Sequence, residues 1–387
     1  MAKRQLSPNV LLIFLSTTVF LSFTVIVMLG PLLVALAMEF RTTVAATGQL
    51  AAATAFTWAL TALLAGPLSD IYGRRLIILL GLILMIIGIL SSGLAWSYSS
   101  LLIFRFVTGV GAAVIGPNSI AIVVDTFPLG MRGKSLGLLI ASLGLGTTFG
   151  IPAVALLAGA GGWRFPFFVL GALLLIIFGI FLMWFPRSHM QPRRSLTLVS
   201  HFRGVGSKVV FWYLLLANCF MNMVFMAVSN YLAVYLIQIY RMNAGEIAVP
   251  LMFAGLGVIA GSIIGGHVAS HEHQLTIISI FFLIAAPVAL LVFTTHISFW
   301  ITAGLSFVTI GLLMISAPVT ALLSTEWAGE SRATATGMFS VSNQLGIMGG
   351  ASIGGLMLSL GSFALIGIFC SVTAATAAAL VRYKVQE

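Results

Sequence analysis

The chain has 387 residues, of which 60% are hydrophobic and only 7% are charged, and its formal net charge is +10. Soluble domains carry roughly a quarter of charged residues, so this composition excludes a soluble globular protein. The positive charge does not indicate a nucleic-acid partner, because membrane proteins retain Lys and Arg in their cytoplasmic loops.

Apolar runs of about 20 residues recur along the whole chain, and a helix of that length crosses the hydrocarbon core of a bilayer. The breaks between these runs predict an all-α membrane protein with twelve transmembrane helices. The predicted spans are 9–38, 44–65, 76–96, 98–124, 135–158, 165–185, 209–236, 246–268, 275–295, 297–322, 333–358 and 361–381.

The basic residues predict how these spans are oriented. With both termini in the cytoplasm, fourteen of the 18 basic residues face the cytoplasm, and Arg41, Arg164 and Arg241 face the other side. The remaining one, Arg105, falls inside a span. This asymmetry follows the positive-inside rule. We therefore expect a multi-pass protein of the plasma (inner) membrane with both termini cytoplasmic.

The turn between the second and third spans, GPLSDIYGRR, combines glycines with charged residues. Gly66 and Gly73 permit close packing and a tight turn. Asp70 suits the positive end of a helix dipole, and Arg74 and Arg75 can extend to the aqueous face. An ordinary hairpin between two membrane helices explains the same features.

This turn also resembles the signature loop of the major facilitator superfamily of membrane transporters. In that family the loop closes the cytoplasmic side through charge contacts with the end of the fourth span, where Asp125 stands in this sequence. The resemblance implies a cytoplasmic gate. Its residues would be Gly66, Asp70, Gly73, Arg74, Arg75 and Asp125.

The fourth span contains the stretch LLIFRFVTGVG, in which Arg105 lies about 10 Å from the outer end at 1.5 Å per residue. A cation at that depth is costly unless it meets an aqueous cavity or a partner. The alternative is that its side chain extends back to the outer headgroups. We expect Arg105 to face a central cavity, where it binds an acceptor-rich substrate or responds to a coupling proton. The stretch RFVTGVGAA also resembles the fourth-span pattern of the family.

The fifth span reads GLLIASLGLGTTFGIP and resembles the fifth-span motif of the drug and sugar efflux branch, which is similar to drug:proton antiporters. The residues that carry this resemblance are Gly146, Gly150 and Pro152. Small residues also let membrane helices pack closely. Both interpretations of these glycines can hold together.

The longest polar stretch, 187–208, separates six spans from six. Adding 200 to a residue number often returns the same residue type, as from Arg132 to Arg332. Parallel repeats of this kind are known in transporters. We predict two pseudo-symmetric six-helix bundles, 1–186 and 209–387, joined by a basic cytoplasmic linker that can contact lipid headgroups.

Uncharged polar side chains near mid-depth form a second set of candidates beside Arg105. Those on the second and seventh spans share a helix face by their spacing. An amide in hydrocarbon must find a partner, so hydrogen bonding between helices is the alternative to ligand contact. The candidates for substrate binding or coupling are Thr54, Trp58, Asn218, Asn222, Asn343 and Gln344.

The eight carboxylates all fall at span ends, in loops or at the terminus. Proton-coupled transporters usually carry a titratable group inside the membrane. Proton exchange is therefore implied by the family resemblance and not by these residues.

We expect a secondary transporter that exports a small organic molecule (drug-like, sugar or nucleoside-like) by alternating access, in exchange for protons. One alternative is a facilitator or anion carrier in which Arg105 binds a carboxylate or phosphate. Another is an integral-membrane enzyme, although no catalytic constellation is evident. The HEHQ stretch is explained by a polar turn better than by a metal site. We expect no cofactor and a monomer with membrane lipid, substrate and protons as its partners.

Overall fold

The computed structural model describes residues 8–184, 209–327 and 332–385, and in these ranges the chain is helical between short turns. The predicted linker 187–208 lies outside the described residues. The helices of the first half are α1 Pro8–Val27, α2 Leu33–Glu39, α3 Val44–Tyr72, α4 Arg74–Gly93, α5 Tyr98–Thr126, α6 Leu129–Leu145, α7 Ile151–Gly161 and α8 Phe165–Trp184. Those of the second half are α9 Val209–Ile239, α10 Ala248–Val268, α11 Gln274–Thr294, α12 Phe299–Glu326, α13 Arg332–Ser359 and α14 Phe363–Leu380.

Two spans consist of more than one helical segment. A 3₁₀ turn at Gly30–Leu32 joins α1 to α2, because Pro31 has no N–H to continue the α-helical ladder. A π-helical turn at Gly146–Gly150 joins α6 to α7, with Pro152 at the start of α7. In both cases the chain continues across the membrane as one span.

The prediction of an all-α membrane protein is confirmed. Within the described ranges, eleven helical spans are long and apolar enough to cross a bilayer. The twelfth, α13, has 28 residues and is more polar, because it carries Asn343, Gln344 and several glycines. Each of the twelve predicted spans overlaps one of these spans. Backbone groups have no water to bond in hydrocarbon, so apolar runs of this length form helices.

The two halves repeat each other in backbone detail. Arg41 and Arg241 occupy equivalent turns, 200 residues apart, and both have left-handed φ angles, of 48° and 57°. Ser97 and Ser298, 201 residues apart, both cap the following helix by accepting a backbone N–H. The arrangement of two similar helical bundles expected from the sequence is therefore confirmed.

The halves meet along a seam that is formed by α3 against α13 and by the π turn and α7 against α10. We call the end of the molecule that holds Pro8 and Val385 the terminal end and the opposite one the distal end. Glycines bring the backbones together at the distal end of the seam: a Cβ on Gly159 would lie 2.8 Å from the Gly245 nitrogen. A Cβ on Gly30 would lie 3.2 Å from the Ser229 carbonyl oxygen. The distal end is therefore closed by direct helix contact.

Candidate functional site

Arg105 is buried inside the first half. It has no solvent-exposed surface, and its Nε donates to the Thr54 hydroxyl at 3.0 Å. Its Nη2 donates to the Val25 carbonyl oxygen at 3.1 Å, so the side chain links α5 to α3 and α1. Its Nη1 has no hydrogen-bond partner. The guanidinium does not extend to the surface, and in this conformation it is enclosed by helices instead of lining an open chamber.

Thr54 and Trp58 lie one turn apart on α3, and Thr54 is the residue that contacts Arg105. Thr54 is fully buried and donates its own hydroxyl proton to the Leu50 carbonyl oxygen at 3.1 Å, which leaves its oxygen free to accept from Arg105. The Trp58 ring is partly buried, and its Nε1 is a buried donor without a partner. The structure thus brings two of the candidate residues, Arg105 and Thr54, into contact.

The asparagines of the second half form one hydrogen-bonded cluster between α9 and α13. Asn343 Oδ1 accepts from Asn218 Nδ2 at 2.6 Å and from Asn222 Nδ2 at 3.0 Å. Asn218 also donates to the Ser342 hydroxyl at 3.1 Å and accepts from Thr320 at 3.4 Å. The cluster satisfies its own amides, as expected for interhelical bonding in membranes.

Gln344 follows Asn343 on α13, but its side-chain oxygen makes no hydrogen bond to that cluster. It is 3% exposed, and its Oε1 has no hydrogen-bond partner. The mid-depth candidates therefore form two groups, one around Arg105 in the first half and one around Asn343 in the second. Their role in binding or coupling stays a prediction.

The residues of the 66–75 turn contact other spans of the first half. Gly73 has a φ of 85° between α3 and α4, a conformation that glycine adopts without strain. Arg74 Nη2 lies 3.1 Å from Asp125 Oδ2, and Arg75 donates to the Leu182 carbonyl oxygen at 3.0 Å at the end of α8. The expected contact between this turn and the fourth span is present. The surroundings of Gly66 and the side chain of Asp70 lie outside what the structure describes.

The fifth-span glycines pack against α1. A Cβ on Gly146 would lie 3.3 Å from the Phe20 carbonyl oxygen, and one on Gly150 would lie 2.9 Å from Thr24 Cβ. Thr148, between them, donates to the Gly255 carbonyl oxygen of α10 at 2.8 Å. The π turn therefore contacts α1 on one side and the other half of the molecule on the other.

Several residues that join the halves were not selected from the sequence. Gln49 and Ser352 exchange hydrogen bonds, with Ser352 Oγ donating to Gln49 Oε1 at 2.9 Å. Tyr231 is fully buried and donates to the Ala351 carbonyl oxygen at 2.6 Å. Gly48 of α3 lies against the Tyr231 hydroxyl. Their sequence signal is weak, because one Gln, Ser or Tyr in an apolar run has many possible surroundings.

A bundle of apolar helices in two similar halves, with buried polar groups at mid-depth and a seam between the halves, is the architecture of a multi-pass membrane transporter. The family model of the Major Facilitator Superfamily matches residues 15–327. The chain belongs to that superfamily and is a secondary transporter, which confirms the resemblance of its loops. Proteins of this family act as transporters and not as enzymes.

Several relatives are named as transporters or as multidrug resistance proteins. An uncharacterized MFS-type transporter, YceJ of Bacillus subtilis (strain 168), is 29% identical over 337 residues, covering 85% of this chain and 84% of the relative. Multidrug resistance protein 1 of the same organism is 24% identical over 363 residues, covering 91% and 90%. The 3-(3-hydroxy-phenyl)propionate transporter of Escherichia coli (strain K12) is 26% identical over 313 residues, covering 78% and 75%.

The fold is also found among solved structures. The inward-facing, unoccupied crystal structure of a bacterial homolog to the human lysosomal transporter Spinster superimposes with a TM-score of 0.71. The match covers 97% of this chain and 94% of that chain at 20% sequence identity.

Proposed function

We propose that this chain exports a small organic molecule by alternating access, in exchange for protons, with its terminal end in the cytoplasm. The observation that carries this proposal is the seam. It is built from close contacts at Gly30, Gly48 and Gly159 together with a few hydrogen bonds such as Thr148 to Gly255. Contacts of this kind can separate at modest cost, because they leave few buried polar groups without partners.

Side-chain hydrogen bonds join helices inside each half. In the first half, Arg105 links α5 to α1 and α3. In the second half, Asn343 links α13 to α9. Each half can therefore move as a unit, with a substrate bound between the two groups of mid-depth candidates.

Two features support export and proton exchange. Gly146, Gly150 and Pro152 follow the pattern of efflux transporters, and a relative that aligns with most of the chain is named a multidrug resistance protein. The positive-inside rule supports a cytoplasmic terminal end.

A spin-label experiment tests alternating access directly. The two native cysteines, Cys219 and Cys370, are replaced by Ala, and each label pair is introduced at one exposed position in each half. The distal pair is Met38 with Gln238, and the terminal pair is Lys134 with His271. Electron–electron distance measurements in liposomes, across pH values and candidate compounds, should show the distal distance growing when the terminal distance shrinks. Distances that stay fixed in both pairs while the compound is transported would refute alternating access.

Proton exchange is tested by flux in proteoliposomes. An imposed pH gradient should drive the compound against its concentration gradient. The second candidate function is a facilitator, favoured by the absence of any carboxylate at mid-span in the sequence. Flux that only runs down the concentration gradient and ignores the pH gradient would support the facilitator and refute exchange.

A further inference from the structure

Seven buried hydrogen-bond donors among the described residues of the first half have no partner. Three of them lie on helices that the Arg105 hydrogen bonds join: Arg105 Nη1 on α5, Trp58 Nε1 on α3 and the Ser22 hydroxyl on α1. Arg105 is 0% exposed and Ser22 is 4% exposed. Buried polar atoms in folded proteins nearly always have a hydrogen-bond partner, so three such atoms on three neighbouring helices require a physical explanation.

The helix positions of these donors relate them to one another. Arg105 bonds to Thr54 on α3 and to the Val25 carbonyl on α1. Trp58 lies one turn beyond Thr54, and Ser22 lies three residues before Val25. Because α1 and α3 run in opposite directions, both displacements point towards the terminal end, by about 5 Å each. Trp58 and Ser22 are thus at a similar depth, one turn from Arg105.

The Ser22 hydroxyl differs from other hydroxyls of the same helix. Thr18 donates to the Phe14 carbonyl oxygen at 2.8 Å, and Thr24 donates to the Phe20 carbonyl oxygen at 2.9 Å. Helical hydroxyls commonly bond to the carbonyl four residues earlier in this way. Ser22 makes no such bond, so its hydroxyl remains available to a ligand.

The chemistry of the group is that of an anion site. Guanidinium and indole N–H groups only donate, and a guanidinium can present two parallel donors to a carboxylate. No carboxylate of the sequence lies at mid-span, so no protein acid neutralises Arg105. An uncompensated buried cation is costly, and a bound anion would relieve that cost. The partly buried Trp58 ring, one turn beyond Thr54 on α3, is an apolar surface that the body of a ligand can contact.

We propose that Arg105, Trp58 and Ser22 bind the carboxylate of an organic acid with an apolar or aromatic body. This inference rests on the proposed transport function and names the substrate class of its first-half site. The ligand's carboxylate accepts from the three donors, and its apolar part contacts the indole ring. A cationic substrate is disfavoured at this site by the guanidinium.

Binding to the purified full-length protein tests the inference. The probes are 3-phenylpropionate and its neutral amide, which has nearly the same shape. Affinity is measured by the ligand-induced rise in melting temperature and by quenching of tryptophan fluorescence. The carboxylate should bind at least about tenfold more tightly than the amide, because hydrogen bonds to charged groups are the stronger ones. Equal binding of acid and amide would overturn the proposal.

Two pairs of variants locate the site. Ser22→Ala should weaken carboxylate binding about tenfold. Ser16→Ala, which removes another buried and unpartnered hydroxyl of α1, should leave it unchanged. Trp58→Phe keeps a ring but removes the donor and should also weaken binding, whereas Arg105→Lys should weaken it further by removing the paired donors. If Ser22→Ala and Ser16→Ala behave alike, the assignment is wrong.

Alternating access and the anion site can be refuted independently of each other. Coordinated changes in the label distances with a neutral or cationic compound, without carboxylate binding, would retain alternating access and reject the anion site. Tight, Ser22-dependent carboxylate binding with fixed label distances would retain the site and reject alternating access.

Discussion

The Gly48→Ala variant should open the distal end of the seam. Gly48 lies where α3 meets α13, and a methyl group at this position would overlap the Tyr231 hydroxyl and lie 3.2 Å from the Ala351 carbonyl oxygen. That hydroxyl donates to the same carbonyl at 2.6 Å, and the Tyr231 side chain is fully buried. The added methyl group must therefore either displace the tyrosine or separate the helices.

Both outcomes cost free energy only while the distal end is closed. Inserting a methyl group into a well-packed site costs about 1–3 kcal/mol. At 1.4 kcal/mol per factor of ten, the ratio of closed to open distal ends should fall about 5- to 150-fold. The population with an open distal end should rise accordingly.

The assay is the Met38 to Gln238 label distance in liposomes. The matched control is Gly304→Ala, since a Cβ on Gly304 would meet nothing within 4 Å. Gly48→Ala should increase the long-distance population, and Gly304→Ala should not.

A double-mutant cycle with Tyr231→Phe tests the cause. Phenylalanine lacks the oxygen atom that the new methyl group meets, so Gly48→Ala should shift the distal distance much less in the Tyr231→Phe background. Equal shifts in both backgrounds would refute the role assigned to this contact.

Three further substitutions have defined expectations for the free energy of unfolding in detergent. Asp125→Asn should cost at most about 1 kcal/mol, because its pairing with Arg74 is half-exposed; a loss of several kcal/mol would contradict this. Asn343→Ala should cost about 1–3 kcal/mol, since it removes the acceptor of two buried amides, and a neutral result would show that water replaces it. Gly150→Ala should cost about 1–3 kcal/mol through overlap with α1, whereas Gly137→Ala, with nothing within 4 Å, should be neutral; equal effects would refute the packing argument.

The sequence was sufficient for features that depend on long apolar runs and on charge at their ends. The twelve spans and the turn at Gly73 could be predicted from local pattern. The contact of Arg74 with Asp125 was implied by the resemblance of the turn to the signature loop of the superfamily. The repeat of 200 residues is also seen in paired features that were not selected from the sequence, such as the turns at Arg41 and Arg241.

The surroundings of single polar residues could not be predicted in the same way. The sequence indicated that Arg105 needs a partner at its depth, but its second partner is a main-chain carbonyl, that of Val25, which has no sequence signal. Asn218 and Asn222 were selected as candidates, yet the serine and threonine that complete their cluster were not. Side-chain contacts between spans depend on helix rotation and tilt, which composition does not fix.

The repeat separates two kinds of position in this transporter. Positions that govern helix contact are alike in both halves: Gly146 packs on the Phe20 carbonyl of α1, and Gly346 packs on the Cys219 carbonyl of α9. Positions with polar side chains differ between the halves. The counterpart of Ser22, with its unpartnered hydroxyl, is Asn222, which is bonded within the second half.

Substitutions at paired positions should therefore behave differently according to their kind. Gly146→Ala and Gly346→Ala should both lower the melting temperature. Each methyl group would meet a backbone carbonyl of the equivalent neighbouring span, α1 for Gly146 and α9 for Gly346. Ser22→Ala should change ligand affinity with little loss of stability, whereas Asn222→Ala should change stability first, because it removes one of the hydrogen bonds that Asn343 accepts. Measuring melting temperature and affinity for all four variants checks this. Opposite effects of the two glycine substitutions, or equal effects of the two polar substitutions, would contradict this reasoning. The two halves would then not share their packing positions while differing in their polar ones.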